Sequence, residues 1–332
     1  VHPSVPVVTG DIGAIPVLKQ VAQIVEPPFM LVSGISCQPY SVGGSQGGSS
    51  DERSNTLPAT LRACYLFQCP LLLLECVPPI RTNQYARSLL ATLERELGYK
   101  VTELTLKLED VWAARRFRWW FLASHPALGK ISIPEWPKSA SLVVRDLFPV
   151  LPVWPDDVLK ELMLQPHECK QFTLDGSHMR KYVIQLDQKL STCLHSWGSP
   201  ADPCPCTCRS EGFSDALVLS RGIYAVVVPV PTSSGEPRYR HLHPAELAIL
   251  NGLPPPATWI SADHPGLRLC LCGVGQLASP LQALWIGSFI KQHVAMALGT
   301  SMDFASPQSG LQKFKQRLYD AAQDLFKVAP TC

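Results

Sequence analysis

Cys37 and Glu75 are the residues whose types and settings could do covalent chemistry in this sequence. Cys37 follows the apolar run 29–32 through the short turn 33–36, and Glu75 directly ends the four leucines 71–74. A thiolate is a nucleophile, and a carboxyl at a buried strand end can keep the proton that a general acid needs. Gln38, Pro39, Tyr40 and Ser41 come next. Gly43, Gly44, Gly47 and Gly48 follow, a composition suited to a mobile loop that closes on substrate. The set amounts to a cysteine nucleophile, an acid near it and a closing loop. By itself it would also fit a cysteine hydrolase. That reading needs a histidine beside the thiol, and none of the nine histidines is placed for it near the motif.

Hydrophobic periodicity supplies the elements that must carry these groups. The apolar runs 29–32 and 71–74 predict buried strands, with a helix over 56–68 between them. A second helix is expected over 84–97, where Leu89, Leu90, Leu93 and Leu97 share a face and Gly98 marks the stop. Alternation of Leu104, Leu106 and Leu108 predicts a strand over 101–108, and another is expected over 119–123. This order of strands and helices predicts an α/β sheet of parallel strands, in which ligands bind beyond the carboxyl ends. Cys37 and Glu75 would then face one cleft. Residues 126–238 are rich in Pro, Cys, Ser and Trp with weak periodicity, as in a small second domain. Helices return over 244–250, over 280–298 with Ser279 as N-cap and Gly299 as stop, and over 308–328.

Composition narrows the setting. Hydrophobic residues make up 46% and charged residues 17%, which excludes a disordered chain, and the formal net charge of +2 neither demands nor excludes a polyanionic partner. Twelve scattered cysteines do not form a secreted disulfide framework, so a reducing compartment is expected. The apolar stretch 271–290 is broken by Gly273, Gly275, Gln276, Ser279 and Pro280, a poor membrane span, and a soluble protein is expected. Cys204, Cys206 and Cys208, with Cys193 and His195, could bind zinc, but their spacing favours loop cysteines and no metal is expected. His241 and His243 read as residues at a helix start. The chain begins at Val1 without a methionine, as a fragment or processed product would.

Ser36–Cys37–Gln38–Pro39–Tyr40–Ser41, followed by Gly44, Gly47 and Asp51–Glu52–Arg53, resembles the nucleophile motif of the C5-cytosine methyltransferases, a Pro-Cys-Gln and then a small–aromatic–Ser stretch. Further motifs follow in the family's order. Gly10–Asp11–Ile12 resembles its Gly-Asp-Ile element, and Glu75–Cys76–Val77 its Glu-Asn-Val. Arg116–Phe117–Arg118 resembles its Arg-x-Arg strand motif. The segment 240–246, running into Asn251–Gly252–Leu253–Pro254, resembles the part that packs a recognition domain onto the catalytic one. Gly275–Gln276–Leu277–Ala278–Ser279–Pro280 stands where the family has Gly-Asn-Ala-Val-Pro-Pro.

The resemblance implies a DNA cytosine-5 methyltransferase that uses S-adenosylmethionine on double-stranded DNA, inside the cell and in the nucleus of a eukaryote. Cys37 would add to C6 of a flipped cytosine, a protonated Glu75 would bond N3, Arg118 would hold the O2 edge and Arg116 would support the site. Asp11, Ile12, Pro39, Gln276 and Leu277 would line the cofactor, and Gln38, Ser41, Gly44 and Gly47 would form the substrate loop. The implied fold is a Rossmann-like methyltransferase sheet lacking its first strand–helix units, since the family's glycine-rich first motif has no counterpart before Gly10. Residues 1–125 and 239–332 would form the catalytic part, and 126–238 a target-recognition domain. Ser36 stands where the family has the proline that shapes the nucleophile turn, and Cys76 replaces an asparagine that supports it. Ala114 replaces a glutamine and Gln276 an asparagine. These departures frame the alternative, a catalytically inactive methyltransferase-like module that binds DNA or a protein partner.

Overall fold

A computed structural model describes residues 6–24, 28–37, 39–40, 47–138, 142–149, 151–152, 154–164, 169, 183–184, 186, 194–195, 223–224, 227–230, 238–255, 278–300 and 306–328. The chain divides into two compact units. The first comprises Val1–Leu106, Phe117–Glu135 and Phe289–Phe304, and the second Lys107–Arg116, Trp136–Ser288 and Ala305–Cys332.

The first unit opens with helix α1 (Ile15–Ile24), strand β1 (Met30–Gly34), helix α2 (Thr56–Leu66), strand β2 (Leu71–Cys76) and helix α3 (Gln84–Arg95). Strands β3 (Lys100–Lys107) and β4 (Phe117–Ser124) complete a sheet of order β1-β2-β4-β3. β1 and β2 run parallel, as the periodicity predicts, with Gly34 opposite Glu75. β4 is antiparallel to β2, so the expectation of an all-parallel sheet is corrected to a mixed one. The physical reason is the connection: β3 and β4 are sheet neighbours joined by only nine residues (108–116), fewer than a parallel crossover needs, so the strands cannot all run the same way.

Side-chain alternation on β2 and β4 sorts the unit into two faces. Leu72, Leu74 and Cys76 meet Ala123, Phe121 and Trp119 on one face, and this row joins Leu57, Cys64, Ile80, Leu90 and Leu93 in the core. α3 contributes Ala86, Leu90 and Leu93 at helical spacing, and Asn83 Oδ1 caps it by accepting from Ala86 N at 3.0 Å. Leu108, expected to end a strand, instead opens the turn Leu108–Asp110. Near the start of β2, Tyr99 Oη donates to Cys69 O at 2.7 Å, and Cys64 lies beside Cys69.

In the second unit, helices α4 (Val144–Leu147) and α5 (Asp156–Leu162) precede two small antiparallel pairs, strands β5 (Leu194–His195) with β6 (Ile223–Tyr224), and β7 (Val227–Val230) with β8 (Arg238–His241). Helices α6 (Pro244–Leu250), α7 (Pro280–Ala297) and α8 (Pro307–Val328) follow. α7 divides between the units at residues 288 and 289. Ser279 is buried, but its hydroxyl makes no capping hydrogen bond; its carbonyl takes Ala283 N instead. His243 caps α6 through Nδ1 to Ala245 N, with Glu246 reaching back to His243 N at 2.7 Å. Arg240 and Glu246, both buried, form a two-pronged ion pair at 2.9 Å per contact. Pro152 O and His241 O accept further from the guanidinium, and Trp154 Nε1 donates to the carboxylate.

Two stability predictions follow from these cores. Glu246→Gln should cost about 3–5 kcal/mol, because it leaves Arg240 buried without its counter-charge; chemical denaturation at pH 7 measures it. Burial pushes Cys64 from 9.0 up to about 12, and Tyr40 and Tyr99 from 10.0 up to about 12. Their folded forms hold protons that the unfolded chain has already released. Stability from these groups is therefore full below about pH 9 and is lost as pH rises through about 12. Tyr99→Phe should lower stability at pH 8 by about 1 kcal/mol and flatten the alkaline decline.

Candidate active site

Glu75 occupies the last turn of the ladder at the carboxyl end of β2, on the face away from the core row. It pairs Gly34 on one side and Trp120 on the other. Arg118 lies two residues before Trp120 on β4, so it shares the face of Glu75 as its diagonal neighbour. The side chains meet there, with Arg118 Nε 2.7 Å from Glu75 Oε1. Both are mostly buried, at 14% and 12% exposure, so water screens the pair less than a surface one. The N–H is not aimed along that contact, which makes it an ion pair rather than an aligned hydrogen bond. A second guanidinium nitrogen of Arg118 donates to Phe117 O at 2.9 Å. A Cβ at Gly34 would stand 3.9 Å from Glu75 Oε2, in ordinary van der Waals contact with the carboxylate.

Cys37 lies just beyond the end of β1, exposed. Ile35 N continues the ladder by donating to Glu75 O at 3.0 Å, which ties the segment carrying Cys37 to the strand carrying Glu75. Cys37 O accepts from Tyr40 N at 3.0 Å, closing a turn over 37–40. Tyr40 is buried and anchors that turn; burial first, then nearby Cys76, Tyr85 and Asp51, pushes its hydroxyl up to about 12. Cys76 is buried beneath the segment, 3.7 Å from Ile35 O as a donor. Burial drives its thiol far above the ordinary range, so Cys76 stays protonated, while Cys37 is exposed.

The remaining sequence-predicted residues fall in several places. Asp11 is exposed and its Oδ1 accepts from Gly13 N at 2.8 Å in the turn before α1. That leaves acceptor capacity on an exposed carboxylate. Ile12 is half-buried. Pro39 is buried, and its carbonyl takes Gly48 N at 3.2 Å. Gly47 precedes the short helical turn Gly48–Ser50 and accepts from Ser50 N. Gly48 is at φ +51, and a Cβ there would stand 3.0 Å from Asn83 Nδ2, so only glycine fits comfortably. Arg116 is buried and belongs to the second unit, where its carbonyl accepts from Leu108 N. The structure therefore joins Cys37, Glu75 and Arg118 in one unit and leaves Arg116 to the other. Gln38, Ser41, Gly44, Gln276 and Leu277 lie outside the described residues, as do Cys193, Cys204, Cys206 and Cys208. No metal-ligating cluster occurs among the described residues.

Sequence reasoning missed Thr56. Its hydroxyl, at the first residue of α2, accepts from Ser36 N at 3.2 Å. Ahead of it, Asp51 caps the turn Glu52–Asn55 and holds Arg53 through Nε and a terminal nitrogen at 2.8 and 2.5 Å, but no local signal in the sequence links that turn to Ser36. A separate cleft of about 640 Å³ is lined by Ile15, Leu18, Phe29, Leu66 and Pro70 among others. It sits at the amino-terminal ends of β1 and β2, away from the chemistry. No helix among the described residues is long and apolar enough to cross a membrane.

A family model described as C-5 cytosine-specific DNA methylase matches residues 7–263. No curated protein matches the sequence. Among solved structures, the Entamoeba histolytica methyltransferase EhMeth aligns with a TM-score of 0.55 at 11% identity, covering 87% of this chain and 83% of its own. The S. pombe Dnmt2 methyltransferase aligns at 0.53 and 13%, with the same coverage. Spodoptera frugiperda DNMT2 aligns at 0.54 and 12%, covering 88% and 86%. At these identities the likeness is one of fold.

The burial pattern predicts thiol selectivity. Brief treatment of the folded protein with iodoacetamide at pH 8 should alkylate Cys37 while sparing Cys64, Cys69, Cys76 and Cys169, read by peptide mass spectrometry. Alkylation of Cys76 as fast as Cys37 would contradict the arrangement.

Proposed function

The chain belongs to the C-5 cytosine-specific DNA methylase family, and from that premise we propose that it methylates C5 of cytosine in double-stranded DNA through a covalent Cys37 intermediate. The observation that carries the reading is the ion pair of Glu75 and Arg118 on one face at the sheet end where Cys37 is held.

A cytosine within a duplex is out of reach, so it must be flipped into the site. N3 and O2 are neighbouring atoms on its edge, and Glu75 and Arg118 are neighbouring groups of matching chemistry. Protonated Glu75 donates to N3, and Arg118 donates to O2. The arriving base must therefore separate the ion pair, and Glu75 must take up a proton as it does so. The Cys37 thiolate then forms an Sγ–C6 bond, and the electron pair of the C5–C6 double bond moves to C5, drawn by the proton at N3. S-adenosylmethionine, the methyl donor used across the family, supplies the group that C5 receives. Loss of the C5 proton and cleavage of the Sγ–C6 bond restore the aromatic ring and the thiolate. Asp11, Ile12 and Pro39, with Gln276 and Leu277, would hold the donor, and the exposed Asp11 carboxylate fits an amino-purine. Arg116 would support the site, and residues 126–238 would read the target sequence. A DNA substrate and a nucleophile that must stay reduced suit a reaction inside the cell, in the nucleus where there is one.

The test uses a DNA duplex carrying 5-fluorocytosine with S-adenosylmethionine, because fluorine at C5 blocks the final elimination. The protein should form a denaturant-resistant adduct, and Cys37→Ser should abolish it. Glu75→Gln should slow adduct formation by about 10²–10⁴, the range for loss of an acid–base group. If Cys37→Ser traps DNA as well as the wild type, Cys37 is not the nucleophile.

A further inference from the structure

The backbone around Cys37 is held from several sides. Ile35 N bonds Glu75 O on one flank, and Tyr40 N bonds Cys37 O on the other. Between them, Ser36 N donates to Thr56 Oγ1 at 3.2 Å. The Thr56 hydroxyl in turn donates to Arg53 O at 3.2 Å, within the turn that Asp51 caps. Thr60, one helical turn on, donates to Thr56 O at 2.7 Å and lies 3.1 Å from Ser33 Oγ. A row of hydroxyls thus joins the first turn of α2 to the end of β1.

We propose that Thr56 is the positioning residue of the nucleophile turn, its hydroxyl holding the Ser36 N–H and so the backbone from which Cys37 projects. The proposal rests on the reading of Cys37 as the nucleophile. A proline at position 36 would lock φ near −65° and carry no N–H. Serine leaves φ free and adds a donor that, in a half-buried segment, needs an acceptor. A hydroxyl can accept from Ser36 while donating to Arg53, which neither a valine nor an alanine can do. Thr56 therefore does by hydrogen bonding what a proline ring would do covalently. The roles are exchangeable, and proline at 36 should make Thr56 dispensable.

Residue-resolved amide exchange on the full chain tests this with Thr56→Val, Thr56→Ser, Ser36→Pro and the Ser36→Pro/Thr56→Val double variant. Thr56→Val should speed exchange at Ser36 and Tyr40 by about fivefold, the worth of one hydrogen bond, and Thr56→Ser should stay within about twofold of wild type. In the Ser36→Pro background, Thr56→Val should leave Tyr40 exchange unchanged. Equal acceleration in both backgrounds overturns the proposal, as does Thr56→Ser behaving like Thr56→Val. If Thr56→Val alone is too unstable to study, Ser36→Pro should restore its folding; an equally unstable double variant overturns the proposal too. The adduct rate at saturating 5-fluorocytosine DNA is the second readout. Thr56→Val should lower it about fivefold, with DNA affinity unchanged, and Ser36→Pro should recover it. Absence of any adduct in the wild type would defeat the nucleophile reading, while the exchange cycle would still decide the positioning role.

Discussion

The register of β2 between its two neighbours is the constraint on which the site depends. With Gly34 and Trp120 opposite Glu75, the even-numbered residues Leu72, Leu74 and Cys76 face the core and Glu75 faces the other way. A slip of one residue would turn the carboxylate into the row of Trp119 and Phe121, where it would be buried without a partner. Leucines are buried on both faces of β2, so it is the acid rather than the leucines that fixes the register, and that register brings Arg118 alongside Glu75.

Two ion pairs in this chain show how burial separates structure from chemistry. Arg240 and Glu246 are almost wholly enclosed, meet through two contacts and have further partners in Pro152, His241, His243 and Trp154. Such a pair is fully matched and has no capacity left for a ligand. Glu75 and Arg118 meet at the end of the sheet, with a glycine beside the carboxylate and an exposed thiol on the adjoining segment. A pair of that kind can open to a substrate that offers both groups a replacement, which is what a pyrimidine edge does in the proposed reaction.

The paired cysteines make a similar contrast. Cys37 and Cys76 both sit at carboxyl ends of strands, yet one projects from a loop and the other lies under it. Burial keeps Cys76 protonated, so it can act as a donor toward Ile35 O while Cys37 remains the accessible sulfur. A cysteine at position 76 is thus compatible with support of the turn.

Much of this was legible in the residues. The four leucines ending in Glu75 announced a buried strand with a reactive end; the apolar run ahead of Cys37 announced a strand too, but β1 lies at the sheet edge with none of its residues buried, and α3 and α6–α8 lie within a few residues of their expected spans. Motif order carried the family assignment, which the match over residues 7–263 bears out. These features were readable because periodicity and motif spacing are local. Strand direction was not: the reversal of β4 follows from a short connection that becomes decisive only once β3 is known to end at Lys107. Nor could the sequence show that Arg118 meets Glu75 across a diagonal, or that Ser36 finds an acceptor in Thr56, twenty positions away. The sequence by itself determined which chemical groups are present and which strand ends carry them. Only the tertiary structure decided which of them touch, because contact across a sheet depends on register and direction, and these are settled by pairing with neighbouring strands distant in the sequence.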